Sequence, residues 1–162
     1  MYINKTSNNV NKKIQNLKKH KIIFLFNESV DLTEKIVLHG LDIEKEYYYH
    51  INPKKLDERI FNKNKYNILL SHHPGVFKVK KNDADLTLSG HLHGGMIYLP
   101  FIGGLILTDL KLKRKFAKGM YKEKVNDKTI VISAGLGDHK KSIRINNMPE
   151  IVFINLQNNE NN

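Results

Sequence analysis

The sequence has no cysteine, which excludes disulfide staples and thiolate metal sites, so any metal must be held by His, Asp, Glu or Asn. It has no long apolar run. Ile22 to Phe26 and Ile102 to Leu107 are short, far below the roughly 18 residues needed to span a bilayer. The first twenty residues are rich in Asn and Lys and show no apolar segment of the secretory kind. A chain with neither feature is expected in the cytoplasm or at the periphery of a membrane. Acidic residues are also scarce, 16 against 27 Lys and Arg, for a net charge of +11. That excess favours anionic partners such as phosphorylated substrates, anionic lipid or nucleic acid. Abundant Asn and Ile beside the Lys also fit a general compositional bias, and nucleic acid is not the expected partner.

What is present fits one soluble domain: 162 residues, 40% hydrophobic. Residues 1–8 and 157–162 read as disordered. Val10, Ile14 and Leu17 recur at helical spacing from Asn9 to His20. Ile22 to Phe26 and Lys35 to His39 read as strands joined by a hairpin around Asn27 to Glu34. Tyr47, Tyr48 and Tyr49 stand in a polar stretch, and Lys54 to Phe61 gives a weak helix signal. Strands are expected at Tyr66 to Ser71, Ala84 to Ser89, Met96 to Leu99, Thr129 to Ser133 and Ile151 to Leu156. Gly103-Gly104 reads as a bend. Lys111 to Lys124 reads as a solvated basic loop.

Three of the eight histidines follow predicted strands directly: His72, His91 and His93. Strands hold the residues just past their ends firmly while these face open space, and neutral imidazole is the commonest protein metal ligand. Gly90, Gly94 and Gly95 let the backbone bend and approach a bound anion.

The segments around these histidines are specific. Leu69-Leu70-Ser71-His72-His73-Pro74 and Asp85-Leu86-Thr87-Leu88-Ser89-Gly90-His91-Leu92-His93-Gly94-Gly95 resemble two motifs of the calcineurin-like metallophosphoesterase family, in the bacterial branch whose longer members often carry a membrane anchor or export signal. Ser133-Ala134-Gly135-Leu136-Gly137, Ile143-Arg144 and Met148-Pro149-Glu150-Ile151 resemble its closing segments. The resemblance implies an α/β (α+β) fold, the C-terminal part of a four-layer αββα sandwich built mostly of short mixed strands. It also implies hydrolysis of phosphoester bonds at a site with two divalent ions, drawn from Mn, Fe, Zn, Co or Ni. Residues matching His72 and His91 ligate one ion, and the residue matching His93 ligates the other. No catalytic residue is assigned within the chain.

The family's earlier motifs are not found. The sequence contains no Asp-x-His and no Gly-Asn-His, and Gly137-Asp138-His139-Lys140-Lys141 only begins like Gly-Asp-x-x-Asp. Three neutral imidazoles bring no charge against two dications. The expectation is therefore a single partial domain over residues 1–162, truncated and incomplete alone. Its partners are expected to be a phosphorylated small-molecule or lipid substrate and either a companion N-terminal half or further copies of itself. The alternative is an inactive remnant that binds metal, membrane or nucleic acid. Asp138 with His139 as an acid/base pair, and Arg144 as a phosphate ligand, are minor candidates.

Overall fold

A computed structural model describes residues 8–42, 56–95, 97–99, 101–106, 111–112, 117–137 and 144–157. Tyr47 to Tyr49, Asp138, His139 and the centre of the basic run, residues 113–116, lie outside the described residues, as do residues 1–7 and 158–162. The chain divides into two compact units, Met1–His91 with Met120–Ile132, and Leu92–Gly119 with Ser133–Asn162.

The first unit opens with helix α1, Asn8–Lys19. Ile14 is its buried residue among those described, and Lys18 and Lys19 place positive charge at the carboxyl end, where the helix dipole favours it. A six-stranded mixed sheet follows, built from β1 (Glu28–Thr33), β2 (Ile36–Leu41), β3 (Tyr66–Ser71), β4 (Leu86–Ser89), β8 (Gly119–Lys122) and β9 (Thr129–Ile132) in the order β1-β2-β3-β4-β9-β8. β1 and β2 form an antiparallel hairpin. The ladders β2–β3, β3–β4 and β4–β9 are parallel. The molecule is thus α/β, with mostly short strands and few helices, as expected.

One face of this sheet is closed by a core of Leu56, Phe61, Leu69, Val76 and Ala84. Side chains alternate across a strand, so Val37, His39, Asn67, Leu69 and Thr87 are buried on that side. Polar members of the face are satisfied. His39 Nδ1 lies 2.7 Å from Ser29 Oγ, and its Nε2 lies 3.0 Å from Asn67 Oδ1. Asn67 also donates to the carbonyls of Asn62 and Lys65, at 2.9 and 2.8 Å. The opposite face carries Leu38, Leu70 and Leu88. It opens into a groove of about 500 Å³ that runs from Ile23 and Leu25 to Ser71, His72, Ser89 and Gly90. A parallel sheet normally has both faces covered; here Leu70 is 36% exposed.

Several expectations are corrected. Ile22 to Phe26 is irregular, not a strand, and Ile23 is 69% exposed. The hairpin partner of β2 is instead Glu28–Thr33, within the polar segment expected to form the turn. Leu25 lies across Gly40, where a Cβ would come within 2.3 Å of Leu25 Cβ. The weak helix signal near Leu56 resolves to one 3-10 turn, Glu58–Ile60. Its cap, Asp57, is gripped by the Arg59 side chain at 2.6 to 3.0 Å, which lowers the carboxyl pKa to about 2.

In the second unit, β5 (Ile97–Leu99), β6 (Gly103–Ile106) and β7 (Lys111–Leu112) form an antiparallel sheet. Gly103 and Gly104 are therefore strand, not bend. Gly104 packs so closely that a Cβ would meet the Gly94 carbonyl at 2.5 Å and Ala117 Cβ at 2.8 Å. The basic run from Lys111 likewise contributes strand residues at both of its ends. The segment Ile151 to Leu156 forms no strand, and Phe153 is 92% exposed. No helix among the described residues is long and apolar enough to cross a membrane.

Candidate metal centre

Two parallel neighbours, β3 and β4, end side by side, Ser71 opposite Ser89. The residues that follow are held together by a hydrogen bond from Gly90 N to the His72 carbonyl, 3.2 Å. Both histidines past these ends thereby come to one point. His91 Nδ1 lies 3.0 Å from His72 Nε2, with the rings edge-to-face at 4.8 Å.

Two imidazole nitrogens at that separation share one proton or one cation. Around a single ion with nitrogen ligands at about 2.1 Å, two adjacent ligands at right angles stand about 3.0 Å apart. His72 and His91 therefore fit a shared ion on geometry and on donor chemistry. Among the described residues no group of three or more His, Asp or Glu is arranged to hold a metal.

His93 belongs to the second unit. Its Nδ1 lies 3.4 Å from Arg144 Nη2, at the long limit of a hydrogen bond. Arg144 Nη2 also donates to the carbonyls of Ala134, at 3.1 Å, and Gly137. Its Nε and Nη1 are buried without a partner.

Backbone strain marks this stretch. His91 and His93 have φ of 71° and 48°, and Gly94 and Gly95 have 74° and 86°. The left-handed conformation costs a side-chain-bearing residue about 1–2 kcal/mol, whereas glycine adopts it freely. Strained backbone of this kind clusters at functional sites, though Lys21, Asn27, Phe101, Asp127 and Asn146 share it. Spacing alone did not disclose this.

Two further residues were missed. His73 caps the 3-10 helix Pro74–Lys78: its Nδ1 accepts from Gly75 N at 2.9 Å, and its ring lies 4.8 Å from that of His91. Pro74 one residue later is the signal that could have revealed the cap. Asn147 is bonded to the His93 segment at a distance of more than fifty residues in sequence, for which no local signal exists.

Comparison with known proteins places these segments among relatives. An uncharacterized metallophosphoesterase of Aquifex aeolicus is 29% identical over 91% of this chain and 56% of its own length. An uncharacterized metallophosphoesterase of Campylobacter jejuni is 33% identical over 91% of this chain and 38% of its own length. The UDP-2,3-diacylglucosamine pyrophosphatase LpxG of Chlamydia muridarum is 30% identical over 80% of this chain and 40% of its own length. The chain thus spans about half the length, or less, of the curated relatives it matches. No family model matches the sequence, and no solved structure does.

Proposed function

From the premise that this chain belongs to the calcineurin-like metallophosphoesterase family, we propose that it carries the histidine part of a metal-dependent phosphoester hydrolase. The observation that supports this most is the 3.0 Å separation of His72 Nε2 and His91 Nδ1 at the carboxyl ends of two adjacent parallel strands, the edge of an α/β sheet where ligands bind.

In this reading His72 and His91 hold one divalent ion and His93 ligates a second. Mn, Fe, Zn, Co and Ni all suit imidazole and carboxylate donors. When bound, such ions polarise a phosphoryl oxygen and lower the pKa of coordinated water. The chain's own part is to present the imidazoles as neutral, fixed donors. The hydrogen bond from Gly90 N to the His72 carbonyl holds the two strand ends together, so the backbone that carries the rings is already placed. The net charge of +11 attracts a phosphorylated substrate. A small molecule or a lipid satisfies this; the name of the Chlamydia relative, a diacylglucosamine pyrophosphatase, favours a lipid-linked phosphoryl substrate.

The three imidazoles carry no charge to oppose the ions. We therefore assign the missing carboxylates to a companion segment that bears the Asp-x-His and Gly-Asn-His motifs, and propose that hydrolysis requires it. The test is hydrolysis of a chromogenic phosphodiester with Mn²⁺, by the chain alone and with that segment supplied. Activity is expected only in the combination and only with His72 and His91 intact. Hydrolysis by the combination that is indifferent to His72→Ala and His91→Ala contradicts the proposal.

A further inference from the structure

We infer that Asn147 is the positioning residue for His93, a role that rests on reading His93 as a metal ligand but is argued from the backbone around it. Positions 93, 94 and 95 all have left-handed backbone, with φ of 48°, 74° and 86°. A turn of this kind directs its carbonyls to one side, away from any regular ladder, and they need donors. Asn147 supplies them. Its Nδ2 donates to the His93 carbonyl and to the Gly95 carbonyl, at 2.5 Å each. One amide nitrogen thus spends both its protons on two carbonyls that flank a single residue, which fixes the turn between them.

That middle residue is Gly94, and the match is steric as well as polar. A Cβ at Gly94 would fall 2.5 Å from Asn147 Oδ1. Asn147 is 2% exposed, and its Oδ1 is buried without a hydrogen-bond partner. The side chain is therefore held in place for its donors. The backbone that carries it is anchored in the same unit. Tyr98 N donates to the Ile145 carbonyl at 3.0 Å, Asn146 Nδ2 donates to the Tyr98 carbonyl at 3.0 Å, and Ile145 bridges Ile97. Asn147 touches no reacting atom. It acts by setting the direction in which the His93 ring leaves the chain.

The isosteric variant Asn147→Asp keeps the shape, removes both N–H donors and sets a carboxylate against two carbonyls. The test uses the full chain with ¹⁵N-labelled histidine, and two readouts. The first is the ring ¹⁵N spectrum of the metal-free protein: Asn147→Asp is expected to shift the His93 ring signals while those of His39, in the first unit, stay at their wild-type positions. The second is Zn²⁺ affinity by calorimetry. Asn147→Asp is expected to weaken it by about tenfold, the scale for groups that orient a metal ligand, and to weaken it no further in a protein already carrying His93→Ala. A change in stability alone would not produce that non-additivity. If the His39 signals show that Asn147→Asp does not fold, Asn147→Ala, which removes the donors without adding charge, is read in the same way. Wild-type His93 signals in a folded variant overturn the inference, as does an additive loss in the double variant. Wild-type Zn²⁺ affinity in His93→Ala overturns the ligand reading of His93 instead, and the ring spectrum of Asn147→Asp then still decides the positioning role.

Discussion

The Nε2 atom of His72 and the Nδ1 atom of His91 lie 3.0 Å apart, although the residues are nineteen positions distant in sequence. His72 comes directly after the last residue of β3 and His91 two residues after the last of β4, and the strands are parallel neighbours. The hydrogen bond from Gly90 N to the His72 carbonyl holds the two backbones together at this point. Replacing either histidine with alanine is expected to cost metal affinity beyond the roughly 10–100-fold that loss of an outer contact costs. Calorimetric titration with Zn²⁺ or Mn²⁺ measures it.

Asn67 is the polar hub under the sheet. It meets His39 Nε2, the Asn62 backbone on both its N–H and its carbonyl, and the Lys65 carbonyl. Asn67→Ala strands several of these groups in a buried place, at about 1–3 kcal/mol for each one left unsatisfied. A loss of at least about 3 kcal/mol is expected in urea denaturation, with the midpoint lowered accordingly.

Gly40 tests where the irregular segment after α1 lies. Its φ is not in the left-handed region, so alanine brings no backbone penalty. The new Cβ would nonetheless sit 2.3 Å from Leu25 Cβ and 2.6 Å from the Leu25 carbonyl oxygen. Gly40→Ala is expected to destabilise by about 1–3 kcal/mol through overpacking, seen as a lowered melting temperature. No loss would mean that Leu25 does not cover the sheet there.

Asp57 offers a pH prediction. The side-chain hydrogen bond from Arg59 is the main cause that brings its pKa from 3.8 to about 2. The folded value lies below the unfolded one, so the contribution is complete above about pH 4 and is lost as pH falls towards 2. The group is exposed, and its effect on stability is small. A carbon-detected NMR titration should place its midpoint near 2, and Arg59→Ala should return the midpoint towards 3.8.

The second face of the large sheet exposes Leu32 at 54% and Leu70 at 36% beside the groove. Apolar surface of this extent promotes association. The chain is expected to self-associate in sedimentation velocity when alone. Leu32→Lys with Leu70→Lys should lower the weight-average mass.

Much of the sheet was legible because the central strands are continuous apolar runs punctuated by Gly, His and Pro. Tyr66–Ser71 was placed to the residue and Thr129–Ile132 within one. α1 followed from the spacing of Val10, Ile14 and Leu17. β1 was not legible, since an edge strand needs few apolar residues and Ser29, Asp31 and Thr33 are exposed polar positions. Ile22 to Phe26 has strand composition, but the ladder position beside β2 is occupied by β1, and the run serves as cover over Gly40 instead. Gly103-Gly104 looked like a bend because the reason for a small residue at Gly104, the close approach of Gly94 and Ala117, is tertiary. The same holds for the site. His72 and His91 could be found from strand ends and glycines, whereas the His73 cap and the Asn147 clamp depend on contacts that only the folded chain creates.

The most direct measurement is an anomalous difference map from crystals of the chain grown with Mn²⁺ or Zn²⁺. The account predicts a peak at about 2.1 Å from both His72 Nε2 and His91 Nδ1. A peak bound to other residues, or none between these two rings at saturating metal, would contradict it.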